Sequence, residues 1–395
     1  MLDNSIFDLI RSRGEEISGE IIAWRRTLHK IPELRMDTPK TEAEIVNILK
    51  SFGITDIQTG VGGHGVTAVI EGAFNGKCLA IRADCDGLPI KEETGLDFAS
   101  ENGNMHACGH DAHTAMALGA AKLIFENRHL LKGRVKFIFQ PYEEGDGGAK
   151  LMLAAGALEK PKADAIIALH NNCTPDEDYA PGDVLVTDEP ISANIYSYEA
   201  TFLGTTSHVC LSANARNAVY MACDAVSEIA KIKSSAELVN AVTVVQGGVR
   251  NNIIPESALI CGTIRAFDTK RHDDVKEKVL GIIRESAKKF GGEVQIKTVI
   301  DLMATENSSE LYTAFCKTAT SLYPERPPIK LKDRELIGED FARFAKVIPA
   351  FYFKLHTKPK NTSYPLHHPK FDVNEDVLHK GSALFAAFAL DWQND

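Results

Sequence analysis

The nine residues Met105 to His113, MHACGHDAH, gather three imidazoles, one thiol and one carboxylate into a single short stretch. Three chemistries use such a set. A cysteine with a histidine can serve as nucleophile and base, and a cysteine can enter a disulfide. Thiolate, imidazole and carboxylate together can hold Zn²⁺, Mn²⁺, Co²⁺ or Ni²⁺. Cys108 and His110 are separated by one residue, which in a loop places both side chains on one side. His106 and His113 read as supporting residues or helix caps around them.

Other residues capable of the same chemistry stand far away in the chain. Asp84 and Asp86 lie in RADCDG, Glu143 and Glu144 in PYEEG, His170 in ALH, and His367 and His368 in YPLHHPKFD. Cys108, His110, Glu144, His170 and one histidine of the 367–368 pair offer five donors, more than the four of a tetrahedral ion, so two ions sharing a bridging donor are expected. Two such ions can hold a hydroxide near neutral pH and polarise a carbonyl. The Glu143–Glu144 doublet suits a division in which one carboxylate binds and the other moves a proton. Asp86 is placed to orient a ligand imidazole by a hydrogen bond. A cysteine nucleophile with His110 as its base fits less well, because it leaves Glu144, His170 and His367 without a use. The H-x-E and P-C-x-x-C pattern of zinc nucleoside deaminases is absent. His29, His64, His129, His272 and His379 read as structural residues of exposed helices or loops.

The elements that must carry these residues alternate. Helical spacing runs over 3–31, 41–52, 113–127, 147–158, 308–322, 338–345 and 375–392, and apolar strands over 65–72, 78–84, 134–141, 163–170 and 349–356. Strands apolar on both faces, separated by helices, predict an α/β domain with a mostly parallel sheet. In such sheets ligands bind beyond the carboxyl ends of strands, where Asp84–Asp86, Glu143–Glu144, His170 and the His356–His368 region all stand. Between residues 190 and 303 the pattern becomes β-α-β-β-α-β, a ferredoxin-like module. The reading is therefore a larger domain of 1–189 and 304–395 with a smaller domain of 190–303 inserted in it. The stretches 172–190 and YPERPPIKLKDRE are expected to be loops or hinges.

A chain of 395 residues exceeds what one core supports, in line with two domains. Hydrophobic content of 44% and charged content of 25% are those of a soluble globular protein. The net charge of -10 argues against nucleic acid or an anionic membrane as the main partner. No secretory signal pattern and no apolar run of about 18 residues is present. The eight cysteines form no CxxC pair, so a reduced, cytoplasmic protein is expected.

RRTLHKIPEL, IRADCDGLPI, MHACGHDAHTAMALGAA, FQPYEEGDGGAKLML, ALH, VVQGGVRNNIIPESALICGTIR, GEDFARF and LHHPKFDVNED occur in the order found in the M20 metallopeptidase family. The sequence most resembles its amidohydrolase branch, which includes the hippurate, indole-acetyl-amino-acid and N-acetyl-diaminopimelate hydrolases, and the match spans nearly the whole chain. The resemblance implies a catalytic domain of zinc-peptidase type and a lid domain that often dimerises, hence a homodimer. It implies two divalent ions on Cys108, His110, Glu144, His170 and His367, with Cys108 bridging and Glu143 as general base and acid. His208, in GTTSH, would help hold the oxyanion, and Asn252 and Arg265 fall where substrate contacts are expected. The implied reaction is hydrolysis of a small N-acyl amino acid. Alternatives are dipeptidase or carboxypeptidase-like cleavage, or a non-catalytic relative on the same fold. Ser212, where the family commonly has proline, and Gly87, where alanine is usual, depart from the pattern without touching an implied ligand.

Overall fold

The computed structural model describes residues 2–145, 147–173, 178–332, 334–359 and 364–393. Along the chain the elements are α1 (Asn4–Glu16), α2 (Ser18–His29), α3 (Pro39–Ser51), β1 (Ile57–Val61), β2 (Gly65–Glu71), β3 (Phe74–Asp84), α4 (His110–Glu126), β4 (Lys132–Gln140), α5 (Gly148–Ala154), β5 (Ala165–Asn172) and β6 (Val184–Val186). There follow β7 (Asn194–Leu203), β8 (Ser207–His208), α6 (Ala218–Ile229), β9 (Leu238–Gly247), β10 (Ile253–Ile254), β11 (Ser257–Ala266), α7 (Thr269–Lys289) and β12 (Glu293–Leu302). The chain closes with α8 (Ser309–Leu322), β13 (Ile329–Lys330), α9 (Ala342–Ala345), β14 (Ala350–His356) and α10 (Leu378–Trp392).

The chain divides into two compact units. One comprises Met1–Glu189, Glu306–Lys332 and Arg343–Asp395; the other comprises Pro190–Thr305 and Asp333–Ala342. The second unit thus takes in residues 333–342, a segment that the sequence pattern groups with the larger domain.

The larger unit is built on an eight-stranded sheet in the order β1-β2-β4-β3-β5-β14-β6-β13. Its centre, β4-β3-β5-β14, is parallel, while β1, β2 and β6 join antiparallel. The mixed α/β architecture with a largely parallel sheet is the one that the alternation predicts. β5 and β14 are buried along their whole length because helices cover parallel strands on both faces. Their continuous apolar runs follow from that. α4 and α10 are buried nearly all round and pack on each other in the core.

The second unit carries a four-stranded antiparallel sheet in the order β12-β7-β11-β9. β7 and β11 alternate buried and half-buried residues, and α6 and α7 pack on the buried side. The connectivity β7-α6-β9-β11-α7-β12 gives the β-α-β-β-α-β arrangement of a ferredoxin-like module.

Several boundaries differ from the sequence expectation. The helical stretch 3–31 is two helices broken at Ile17, whose backbone at φ -88 and ψ 7 leaves the helical region. Helix α4 begins at His110 rather than at residue 113, so the metal-type motif forms part of the helix instead of only preceding it. α5 stops at Ala154, followed by Gly156 at φ 81, and 338–345 holds only the short α9. The expected loop 172–190 contains β6, and the proline-rich stretch contains β13, two short runs that pair in parallel. Residues 174–177 and 333 of those stretches lie outside the described residues. His29 and His272, expected to be exposed, are buried.

Candidate metal centre

The donor residues converge because each stands at the end of a buried element. β3 ends at Asp84, β4 leads to Glu143 and Glu144, and β5 carries His170 near its end. Gly109 lies between Cys108 and His110 at φ 90, a left-handed backbone that favours glycine. A Cβ there would collide with the side chain of Asn171. The resulting turn puts Cys108 and His110 on one side, with His110 opening α4.

Hydrogen bonds decide which nitrogen each imidazole presents. His110 Nδ1 lies 3.0 Å from the backbone oxygen of Asp86, and His170 Nδ1 lies 2.7 Å from that of Asn171. A carbonyl only accepts, so both Nδ1 atoms carry the proton and both Nε2 atoms present a lone pair. His170 Nε2 is 3.4 Å from Cys108 Sγ. His110 Nε2 is buried with no hydrogen-bond partner. A buried lone pair without a donor is costly, and coordination to a cation removes that cost.

Two groups of three donors emerge. Cys108, His110 and His170 have ligand atoms within 4.8 Å of one another, as do Cys108, Glu144 and His367. Cys108 is common to both. His367 Nε2 is 3.3 Å from Glu144 Oε1, and the His367 N–H donates to the Ala107 carbonyl at 2.8 Å, tying the two donor-bearing segments together. His367 adopts φ 65, a strained backbone for a non-glycine residue that aims it differently from its neighbour. His368 instead stacks on Tyr364, and its Nδ1 accepts the Lys370 N–H. The pair that residue type and spacing left open thus divides, with His367, the one the resemblance names, in the cluster and His368 outside it.

Glu143 joins His110 and Glu144 in a third group within 4.8 Å. Asp86 braces this corner. Its carboxylate accepts the N–H of Glu143 at 3.0 Å and that of Glu144 at 3.4 Å, and lies 3.4 Å from His110 Nδ1. Burial pushes Asp86 upward from its ordinary carboxylate range, opposed by the hydrogen bond to His110.

The electrostatics disfavour a thiolate–imidazolium pair between Cys108 and His170, whereas against burial Asp84 and Cys108 hold His110 above the usual imidazole range. Burial, with Glu144 adding to it, raises the Cys108 thiol well above its ordinary value. Burial, with His113 adding to it, lowers His170 well below the usual imidazole range. Both directions oppose the ion pair that an activated cysteine needs. A cation among the donors would reverse the first shift and exploit the neutral imidazole of the second.

Behind His170 stands a support of which sequence reasoning named Asp84 and His113 but not Arg82. Arg82 and Asp84 form an ion pair at 2.8 Å with both side chains buried, and Asp84 Oδ1 meets His113 Nδ1 at 2.6 Å. His113 Nε2 accepts the Asn171 N–H at 2.9 Å, and its ring lies 4.4 Å from that of His170. Both His113 nitrogens are therefore occupied, which marks it as a brace. Burial would push Asp84 up, but His110, Arg82 and His113 together hold it well below the usual carboxylate range. The signal was available: His113 follows His110 by three residues and so shares its helix face. His106 is buried, neither ring nitrogen has a hydrogen-bond partner, and burial lowers it to about 4. Nothing in the structure explains its position.

The remaining site residues belong to the second unit. His208 and Asn252 are both exposed, and His208 pairs with Ile253, beside Asn252, in the β8–β10 ribbon. His208 Nδ1 accepts the Cys210 N–H at 3.2 Å. Arg265 is not with them. It lies near the opposite end of β11 from Ser257 and donates to the Leu336 carbonyl at 2.9 Å.

Residues 80–391 match the model of peptidase family M20/M25/M40. The N-acetylcysteine deacetylase of Bacillus subtilis (strain 168) is 34% identical, with 94% of this chain and 96% of the relative aligned. Thermostable carboxypeptidase 1 of Saccharolobus solfataricus is 32% identical, covering 98% of this chain and 99% of the relative. Among solved structures, the Bacillus subtilis YXEP protein, described as a dinuclear metal binding peptidase from the M20 family, superposes with a TM-score of 0.82 at 31% identity, covering 96% and 99% of the two chains. A family model over most of the chain, full-length relatives above 30% identity and a donor cluster at the strand ends agree: this chain is a member of peptidase family M20/M25/M40.

Proposed function

We propose that the protein is a two-metal amidohydrolase that cleaves the amide bond of N-acyl amino acids, yielding a carboxylic acid and a free amino acid. One observation carries this reading: His110 and His170 each spend Nδ1 on a backbone carbonyl and turn Nε2 toward the cluster around a buried cysteine. Cys108, His110 and His170 would hold one ion, and Cys108, Glu144 and His367 the other, Cys108 belonging to both groups. When bound, such ions polarise a carbonyl and make water nucleophilic near neutral pH. The mixed donor set suits Zn²⁺, Mn²⁺, Co²⁺ or Ni²⁺.

The protein's own residues do the rest. Glu143 takes the proton of the attacking water and passes it to the leaving nitrogen. Asp86 sets its position through the Glu143 N–H. His208 donates to the developing oxyanion through Nε2, because its Nδ1 is the acceptor of the Cys210 N–H. Asn252 and Arg265 are assigned to substrate contacts, Arg265 less directly because its guanidinium is engaged with Leu336. The name of the Bacillus subtilis relative, an N-acetylcysteine deacetylase, favours an acetylated amino acid as substrate. A second reading, release of C-terminal residues from short peptides, is favoured by the Saccharolobus carboxypeptidase.

A homodimer through the second unit completes the proposal. β9 is an edge strand of ten residues, LVNAVTVVQG, with no charge and no proline, and Val245 on it is 53% exposed. Edges that stay unpaired are usually blunted by such residues. We also place the protein in the cytoplasm. None of the eight cysteines forms a disulfide, as in a reducing compartment, and no described helix is long and apolar enough to cross a membrane.

The decisive test strips the protein of metal, restores Mn²⁺, Zn²⁺, Co²⁺ or Ni²⁺ singly, and assays N-acetyl and N-aroyl amino acids beside dipeptides and carbobenzoxy-peptides. Hydrolysis of N-acyl amino acids with at least one metal is expected. Activity confined to peptides would replace this reading with the second, and activity that survives chelation would overturn both.

A further inference from the structure

A second cluster of buried charges begins one residue beyond His110. Helix α2 turns Ile21, Arg25, Leu28 and His29 inward, so a guanidinium occupies a position where helical periodicity calls for an apolar side chain. Arg25 is 1% exposed. Its Nε donates to Asp111 Oδ2 at 2.9 Å, its Nη1 to Glu375 Oε1 at 3.1 Å and its Nη2 to Asp372 Oδ1 at 2.7 Å. One rigid fork therefore holds carboxylates from two segments far apart in sequence.

Both segments carry proposed ligands. Asp111 follows His110 in the first turn of α4. Asp372 follows His367 by five residues, across a turn in which the Phe371 N–H donates to the His368 carbonyl at 2.9 Å and the Phe371 ring is buried. We infer that Arg25 is a positioning residue for the metal centre, joining the segment of Cys108 and His110 to the segment of His367. The inference rests on the metal-centre reading above.

The three arms of the fork are not equivalent. Asp111 keeps His29 Nδ1 at 2.7 Å if Arg25 is lost, and Glu375 keeps Arg26 at 2.6 Å. Asp372 has no other side-chain partner among the described residues. Loss of Arg25 therefore releases the His367 side more than the His110 side. The ion held with His367 should weaken, and the ion held by Cys108, His110 and His170 should not.

The test is titration of metal-free protein with Co²⁺, following thiolate-to-cobalt absorption under chelator competition, for wild type, Arg25→Gln, Arg25→Lys, Asp372→Asn and His367→Ala. Arg25→Gln should weaken one of two ions by about ten- to a hundredfold, the typical effect of losing a residue that orients ligands, and that ion should be the one His367→Ala removes. Arg25→Lys should recover part of the loss. Asp372→Asn cuts only one arm, at a side chain 28% exposed, and should reproduce the selective loss with little change in the melting temperature of the metal-free protein, so the outcome holds even if Arg25→Gln fails to fold. Unchanged binding in Asp372→Asn, or equal weakening of both ions in step with melting temperature, would overturn the inference. Failure of wild type to bind any ion would instead refute the metal-centre reading.

Discussion

Around Arg25, opposite charges meet: three carboxylates on one guanidinium, and His29 between Asp111 at 2.7 Å and Glu92 at 3.1 Å. Around Cys108, a few residues away, the pattern is reversed. His110 Nε2 has no hydrogen-bond partner, and a buried thiol faces an imidazole that burial keeps neutral. Both clusters are buried and both are polar, so burial and polarity do not separate structure from function. What separates them is the kind of group each gathers. The Arg25 cluster sets cations against carboxylates and, among the described residues, leaves only Asp111 Oδ1 buried without a hydrogen-bond partner, whereas the Cys108 cluster gathers thiol, imidazole and carboxylate, all donors to a cation. A buried polar atom costs roughly 1–3 kcal/mol when left unpaired, a cost that a cation among the Cys108 donors would remove.

Four experiments would break or sharpen this contrast. The largest effect is expected from Glu143→Gln, which should cut turnover by about a hundred- to ten-thousandfold, the usual share of a general base, while metal content and melting temperature stay near wild type. Near-normal turnover would remove Glu143 from its role. Next comes Asp111→Ala, which leaves Arg25 and His29 without their shared carboxylate. Urea unfolding should show a loss of about 3–5 kcal/mol, as for one partner of a buried pair. A loss below about 1 kcal/mol would place the cluster among ordinary surface pairs.

The third experiment uses pH. Against burial, Asp111 and Glu92 raise His29 to about 9 from an ordinary 6.5. A group whose folded pKa is raised contributes fully below the unfolded value and loses that contribution as pH rises through the folded one. Stability attributable to His29 should therefore fall between about pH 6.5 and 9, by up to roughly 3 kcal/mol, and the fall should vanish in His29→Gln. A wild-type profile parallel to that of His29→Gln would refute the charged state. The smallest effect is expected from His368→Ala, which removes a stack on Tyr364 and should change stability by less than about 0.5 kcal/mol. It should leave metal stoichiometry intact where His367→Ala lowers it; equal losses would undo the division of the pair.

Much of this was legible before any coordinates. Continuous apolar runs at 163–170 and 349–356 marked β5 and β14, since strands buried on both faces need no alternation. The β-α-β-β-α-β pattern between residues 190 and 303 marked the second unit, in which β7 and β11 bury one face only. Short elements escaped. β6 and β13 have three and two residues, too few for any period to show. The break at Ile17 escaped as well, because periodicity continues across it in the residues that face the core. In the site, donor types and the strand ends bearing them were readable. Asp84 and His113 were readable as rim and supporting residues, but their pairing with Arg82 and the clamp of Arg25 were not, since a lone charge in a strand or helix does not show its partner until the fold brings one to it.

By itself, the sequence determined the donor set, because thiol, imidazole and carboxylate at strand ends are chosen by chemistry that residue type alone expresses. It also determined the two-part architecture, because hydrophobic period is a local property of the chain. Only the tertiary structure decided which nitrogen of each histidine faces the cluster and that His29 and Arg25 lie inside. His170 takes its orientation from the carbonyl of its neighbour Asn171, but others depend on hydrogen-bond partners far away in the chain, such as Asp86 for His110 and Glu375 for Arg25. Pairings over such separations arise from packing, and no local pattern in the chain encodes them.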